Sequence, residues 1–333
     1  MLHSKYYSIL LLLFLFLASC KLGKDYQQPA LELPQQFNAV SFADTSSIAD
    51  LEWKTYFTDP NLQTLIEQGI AHNHDLLLAI NNMDIAERYL LQSKSRAPQL
   101  DFQIAARSDI PSKNSLGGIS TNSFLGQNHL ENYIVGVNLS WEVDVWQKLR
   151  NQQASSQAEY LQSYEAAKAV QTQLVANIAN GYFNLLMLDA QMDIARKNLV
   201  LADSFLQATR LLKDAGLGNA LGIQQAEVLK QSTALLIPQL EQDIALQENA
   251  LQLLTGQLPG PIARQALLTD ISITNSLSTG LPVAIVSRRP DVRAAELALM
   301  AIHAQVGIAQ ANMYPALNLT VGGGLEAFKA SNW

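Results

Sequence analysis

The sequence predicts an α+β membrane protein in which long coiled-coil helices are joined to strands able to cross a bilayer, the whole built from two internal repeats. Three observations carry this reading. A heptad-like apolar seam runs from Leu174 to Leu206, two segments alternate apolar and polar residues with period two, and a unit of helix, proline and alternating strand occurs twice. Composition agrees. Charged residues make up only 15% of the 333 residues, against about 25% in typical globular proteins, while hydrophobic residues reach 48%. That balance excludes a disordered chain. With 22 Lys+Arg against 29 Asp+Glu, a net charge of -7 and no basic run, the electrostatic footprint of a nucleic-acid binder is missing. Beyond the N-terminus no apolar stretch is expected to reach the roughly 18 residues of a spanning helix, which argues against a multi-helix inner membrane protein.

The chain opens with an address. After Lys5, the apolar run Ile9–Ala18 has the length of a signal-peptide core and is too short for a stop-transfer helix, so residues 1–19 read as a signal peptide. Its end, Leu17, Ala18, Ser19 and Cys20, resembles the bacterial lipobox, in which the cysteine receives diacylglycerol and an N-acyl chain such as palmitate and becomes the first mature residue. A stray buried cysteine is the bland alternative. Cys20 is the chain's one cysteine, which leaves no disulfide within the chain and no CxxC site. Two or more acyl chains would hold such a protein firmly to a membrane surface.

Residues 20–58 are polar, carry Pro29 and Pro34, and read as an extended strap. Residues 59–255 form the first repeat. Asp59 and Pro60 are a cap and a first helical position, and one helix is expected to run from there to Ala97, where Pro98 stops it. A strand follows with Leu100, Phe102, Ile104 and Ala106 on one face. The segment 111–130, rich in Ser, Asn and Gly, is expected to be a loop. A second strand places Tyr133, Val135, Val137, Leu139, Trp141, Val143 and Val145 on one face and Asn138, Ser140, Glu142 and Asp144 on the other. It is long enough to cross a bilayer when tilted. A helix expected over about 147–213 would extend roughly 100 Å at 1.5 Å per residue. Gly216 suits a left-handed cap, and a second long helix returns, bent at Pro238. Residues 256–289 read as a connecting region.

The repeat then begins again at 290–333. Segments 75–106 and 292–323 align with Pro98 on Pro315, an Ala-rich helix before each proline and an alternating strand after it, Leu317, Leu319 and Val321 in the second copy.

The stretches "WKTYFTDPNLQTLIEQGIAHNHDL", "YIVGVNLSWEVDVWQKLRNQ", "LPGP" and above all "GLPVAIVSRRPDVRAAELALMAIHAQVGIAQANMYPALNLTVGGG" identify the chain as resembling the TolC-type outer membrane efflux proteins, in their lipoprotein branch. The resemblance implies a homotrimer, each subunit giving four strands to a shared 12-stranded barrel and its long helices to a periplasmic tunnel. It also implies a lipid-anchored place in the outer membrane, and a periplasmic adaptor and inner membrane pump as partners. Three strand signals against the implied four lead to the expectation that the sequence is truncated at its C-terminus, without a final strand and a second helix pair. Gln147 departs from the family pattern, which usually has Gly between strand and helix. The alternation supports the implied closure independently, because open strand edges in lipid leave unpaired backbone groups costing several kcal/mol each.

No catalytic constellation, cofactor site or metal site is expected, and so no enzyme. His72 and His74 fall on different helix faces. His303 stands alone, and Gly216, Leu217 and Gly218 lack the strand that a dinucleotide fingerprint requires. Together with Asn219 they sit at a helix-hairpin tip, where the resemblance puts the adaptor contact, though a plain turn explains the same residues. In "RRPD" the two arginines before a helix start could bind phosphate, but Pro290 and Asp291 suit a first turn and the arginines can pair with carboxylates. Glu142 and Asp144 would face the lumen and could weight a pore toward cations, though a solvated lumen wall explains them equally well. The function expected is a passive outer membrane conduit. The alternative is a non-conducting coiled-coil lipoprotein, which explains the helices but not the strands.

Overall fold

Helix formation begins where the sequence supplies a cap. The computed structural model describes residues 25–29, 52–95, 98–126, 129–270 and 288–328. A short α1 (Trp53–Tyr56) precedes α2 (Pro60–His72). The Asp59 carboxylate accepts the N–H groups of Asn61 at 2.7 Å and Leu62 at 3.3 Å, and Pro60 sits where a missing N–H costs nothing.

The single helix expected to reach Ala97 is instead two. After α2 the backbone of Asn73 turns extended, with φ -64 and ψ 125, and α3 (His74–Lys94) starts anew. Asn73 serves both helices: its N–H closes α2 on the Gly69 carbonyl at 2.8 Å, and its Oδ1 accepts the Leu76 N–H of α3 at 2.9 Å. Its Nδ2 donates to the Leu254 carbonyl at 2.9 Å, so a side chain that competes with helical backbone is buried with its polar atoms satisfied. Residues 96–97, at the expected end of that helix, lie outside the described residues.

Three strands form one antiparallel sheet in the order β1 (Gln99–Asp109), β2 (Leu130–Val143), β3 (Leu317–Ala327). Gln99 pairs with Ser140 and Tyr133 with Ala327, which fixes the register along both ladders. Between β1 and β2 the expected loop contains a helix, α4 (Leu116–Leu125). Ser115 caps it by accepting the Gly118 N–H at 3.1 Å, a local signal overridden in the reading of composition alone. β2 stops at Val143, so Asp144 and Val145 lie past its end.

The longest element, α5 (Lys148–Asp214), is one helix of 67 residues, close to the expected range. It turns at Gly216 into α6 (Ala220–Ala234), and α7 (Leu236–Thr255) follows a break at Leu235. Pro238 has no N–H to offer the carbonyl four residues back, which explains an interruption just before it. After a 3-10 turn at Leu268–Asp270 come α8 (Pro290–Ala311) and β3. Contrary to the expectation that no such stretch follows the N-terminus, α8 is long and apolar enough, by length and composition, to cross a membrane. Its buried residues are all small, Ala301, Ala304, Gly307 and Ala311. A Cβ at Gly307 would lie 2.5 Å from Asn151 Nδ2 on α5, so this seam is a close helix–helix contact.

The chain divides into two compact units. One comprises residues 1–28, 87–159 and 299–333 and holds the sheet; the other comprises 29–86 and 160–298. The second has a core of Leu62, Ile66, Ile178, Tyr182, Leu185 and Leu251, all essentially without solvent contact. The heptad seam faces inward as its spacing predicts: Leu174, Ile178, Leu185, Met192, Ala195, Ala202 and Leu206 are buried.

Candidate functional site

The register sorts the sheet into two chemically opposite faces. On one lie Leu100, Phe102 and Ile104 of β1, beside Leu139, Val137 and Val135 of β2, with Val321 and Leu325 of β3 next in line. Those of β1 are largely exposed, Phe102 at 65% and Ile104 at 71%. On the other face Gln99, Asp101, Gln103 and Arg107 adjoin Ser140, Asn138, Gly136 and Asn132, then Thr320, Gly322 and Gly324. One face suits hydrocarbon and the other water, the division of a strand that crosses a bilayer around an aqueous interior. Among the described residues β1 and β3 are each paired along one edge only.

Where β2 hands over to α5, the expected pair of carboxylates separates into two roles. Glu142 stays on the polar face opposite Asn318, and its carboxylate lies 2.8 Å from Lys148 Nζ. Asp144, beyond the strand, accepts the N–H groups of Leu149 at 2.9 Å and Arg150 at 3.0 Å. It is thus a cap for α5, a role that strand alternation concealed. The reason lies at Gln147, whose φ of 60 makes it the one non-glycine with left-handed backbone among the described residues. Its carbonyl accepts the first helical bond from Asn151 at 2.9 Å, and Asp144 supplies the side-chain oxygens that an ordinary cap residue would provide. Trp146 closes the junction, stacking on Tyr314 at 4.8 Å and donating its indole N–H to the Pro315 carbonyl at 2.9 Å. The sequence signal for this junction was the absence of the usual glycine.

At the hairpin tip, Gly216 has φ 75. Its N–H bonds the Lys213 carbonyl and the Leu217 N–H the Leu212 carbonyl, both at 2.9 Å, the paired bonds of a glycine-terminated helix. Asn219 then caps α6 through the Gly222 N–H at 2.9 Å, and Leu217 is 79% exposed. Three ion pairs follow the hairpin at heptad spacing along α5: Arg210–Glu227 at 3.1 Å, Asp203–Lys230 at 2.7 Å and Arg196–Glu241 at 3.9 Å. The hydrogen bond from Lys230 holds the Asp203 carboxyl below its ordinary range.

The segment after α7 is stapled by Arg264, which pairs with Asp189 and, at 2.5 Å, with Glu248. Hydrogen bonding to Asp189 and then Glu248 outweighs desolvation and raises the guanidinium's pKa above its already high value. Tyr182 donates to Asp59 at 2.7 Å, and burial first, then that bond, pushes its phenol well above the ordinary value. Arg289 pairs with Asp291 at 2.6 Å, as the "RRPD" reading anticipated. The structure does not bring the histidines together into a site: no metal-binding group of His, Cys, Asp and Glu occurs among the described residues. Leu17, Ala18, Ser19 and Cys20 lie outside the described residues.

Strands with a lipid-compatible face, a polar face and open edges, continuous in sequence with a long helical hairpin, define a membrane β-protein with a large helical extension. A family model described as outer membrane efflux protein matches residues 65–257 and 281–332. Relatives include the cation efflux system protein CusC of Escherichia coli (strain K12), 33% identical over 92% of this chain and 66% of its own length. The probable outer membrane lipoprotein SilC of Salmonella typhimurium is 30% identical over 92% of this chain and 65% of its own. Among solved structures, CusC matches with a TM-score of 0.80 at 30% identity, covering 94% of this chain and 68% of that one. The outer-membrane channel OprN matches with a TM-score of 0.81 at 28% identity, covering 94% and 69%. The chain belongs to the outer membrane efflux protein family, and the outer membrane is its place. It spans about two thirds of the length of the curated relatives it matches.

Proposed function

We propose that this chain is the channel subunit of a tripartite efflux system, a passive conduit through which solutes delivered by an inner membrane pump and a periplasmic adaptor leave across the outer membrane. The observation that carries the reading is the two-faced sheet with open edges. An isolated sheet of this kind cannot rest in lipid with its outer N–H and C=O groups unpaired, so further strands must close it, and closure encloses the polar face. Copies of the same chain supply those strands in a homotrimer. Transport of this kind requires no bond to be made or broken, so the chain is not an enzyme and needs no cofactor.

Gly216, Leu217, Gly218 and Asn219 are the adaptor contact, a reading supported by the exposure of Leu217 on a rigid, doubly bonded turn. Glu142 lines the lumen at the base of the sheet. Residues 1–19 are removed as a signal peptide and Cys20 carries diacylglycerol and an N-acyl chain, which anchor the chain to outer membrane lipid. That SilC is called an outer membrane lipoprotein supports the anchor. CusC is called a cation efflux protein, and cations are accordingly the first solutes to test. The experiment is single-channel recording in planar bilayers of the protein extracted from outer membranes. Discrete openings are expected, and a protein that assembles in the bilayer yet never conducts would be the non-conducting coiled-coil lipoprotein instead.

A further inference from the structure

We infer that Arg150, at the junction of β2 and α5, binds the anionic headgroups of phospholipids in the outer membrane leaflet on the side to which the helices extend. The inference rests on the place of the sheet in that membrane and not on conduction, so it holds for a chain that never opens as well as for a channel.

Three neighbours on α5 fix the direction in which Arg150 leaves the helix, because each helical position turns the side chain by about 100°. Lys148 is held to the polar side of the sheet by Glu142, at 2.8 Å. Asn151 and Ser155 face α8: an added Cβ on Gly307 would meet Asn151, and the Ser155 hydroxyl reaches the Ala301 carbonyl at 3.4 Å. Arg150, about 200° from Lys148 and about 100° from Asn151, takes the remaining face, turned away from α8 and from the polar side. It is exposed there, and the next positions on that face, Ala154 and Gln157, carry no charge. Glu159 is turned instead to Ser155 at 2.8 Å and Gln305 at 3.2 Å. Asp144 spends its two oxygens on the backbone N–H groups of Leu149 and Arg150. Among the described residues the Arg150 guanidinium therefore has no carboxylate of its own.

The level is that of a membrane interface. Trp141 stands on the apolar face of β2 opposite Leu319, close to the strand's end at Val143, and is 43% exposed. Trp146 and Tyr314 stack beside the junction at 4.8 Å. Indole and phenol rings gather where hydrocarbon gives way to water, and transmembrane barrels carry such girdles at their rims. Arg150 lies in the first turn of α5, just beyond these rings. From there its stem can run along apolar surface while the guanidinium meets the phosphates. A planar guanidinium takes a phosphate through two parallel hydrogen bonds, and a headgroup with net negative charge gains most from the contact.

The test is native mass spectrometry of protein extracted from outer membranes and titrated in detergent with phosphatidylglycerol or phosphatidylethanolamine. Phosphatidylglycerol is expected to bind more tightly, with a margin that shrinks as salt is raised. Arg150→Gln should weaken its binding roughly fivefold, the attraction of one basic residue to an anionic surface, and should leave phosphatidylethanolamine unaffected. Arg150→Lys, which keeps the charge, should retain most of the preference. Lys197→Gln removes the same charge about 70 Å further along α5 and should change nothing. Inorganic phosphate at equal concentration should not displace the lipid; displacement would make a free anion the ligand and overturn the inference. Equal affinity of the wild type for the two lipids overturns it as well, as does a preference that survives Arg150→Gln or falls equally in Lys197→Gln. The wild-type comparison needs no variant to fold, and the same spectra show whether each variant keeps the wild-type oligomer. Whether this preparation opens in a planar bilayer decides the channel reading separately.

Discussion

Ile178 and Ile104 are the same residue with opposite fates. Ile178, on α5, is 0% exposed within the core of the helical unit, whereas Ile104, on β1, is 71% exposed on the sheet. Phe102 and Leu100 repeat the pattern beside it. The contrast shows that the two units are built for different solvents. In the helical unit apolar side chains leave water by packing on one another, and polar atoms survive inside only where every bond is made, as at Asn73. In the sheet the apolar residues form an outer skin, and the polar residues are the interior. The hydrophobic effect is the same in both; what differs is which surface water occupies.

The largest effect should come from the helical core. Ile178→Ala removes methylenes from a fully packed site and is expected to cost about 2–5 kcal/mol. Gly69, whose added Cβ would lie 2.3 Å from Ile178 Cδ1, shows how closely the site is filled. Ile104→Ala should leave the urea midpoint of the helical circular dichroism signal unmoved, because Ile104 is largely exposed and lies outside the helical core. Equal losses for the two would erase the distinction between the units.

Next in size is a charge on the sheet. Phe102→Arg puts a guanidinium on the lipid-facing side and should cost about 2–4 kcal/mol near the bilayer midplane, whereas Gln103→Arg, one residue on but on the polar face, should cost little. The protease-protected fraction in outer membranes measures both. Similar loss at 102 and 103 would mean that the assignment of faces is wrong. A smaller effect is expected at Asn73→Leu, about 1–3 kcal/mol, since the Leu254 carbonyl and the Leu76 N–H would lose their partner in a buried place. Helical content should be retained while the urea midpoint falls, and an unchanged midpoint would show the break to be idle.

How much of this was legible in the sequence follows from the range of each signal. Period-two alternation and the heptad seam are local and repeated, so the faces of β2 and the inward side of α5 could be read directly. The break at Asn73 could not, because what holds it is a bond to Leu254, a residue distant in sequence and near only after folding. α4 was hidden by composition: Ser, Asn and Gly suggest a loop, yet Ser115 is also a helix cap. Most instructive is the site. Sequence placed Glu142 and Asp144 together as wall carboxylates, whereas in the fold one pairs with Lys148 and the other caps α5. Charge is visible in a sequence, but compensation is a matter of geometry.

The smallest predicted effect lies at the boundary between strand and helix, and it runs toward stability. Left-handed backbone costs an L-residue roughly 1–2 kcal/mol, and the chain adopts it at Gln147 with φ 60 and at Gly216 with φ 75. At Gly216 the residue suits the conformation, with no atom within 4 Å of an added Cβ; Gly216→Ala should therefore destabilise the tip through backbone strain alone, by about 1 kcal/mol. Gln147→Gly should do the reverse. It relieves strain but gives the unfolded chain more freedom, so the net gain should be below about 1 kcal/mol. The bonds from Asp144 to α5 do not involve the Gln147 side chain and should persist. Thermal midpoints of the two variants should move in opposite directions from wild type. A fall for Gln147→Gly would mean that the glutamine side chain contributes more to the junction than its backbone strain takes away.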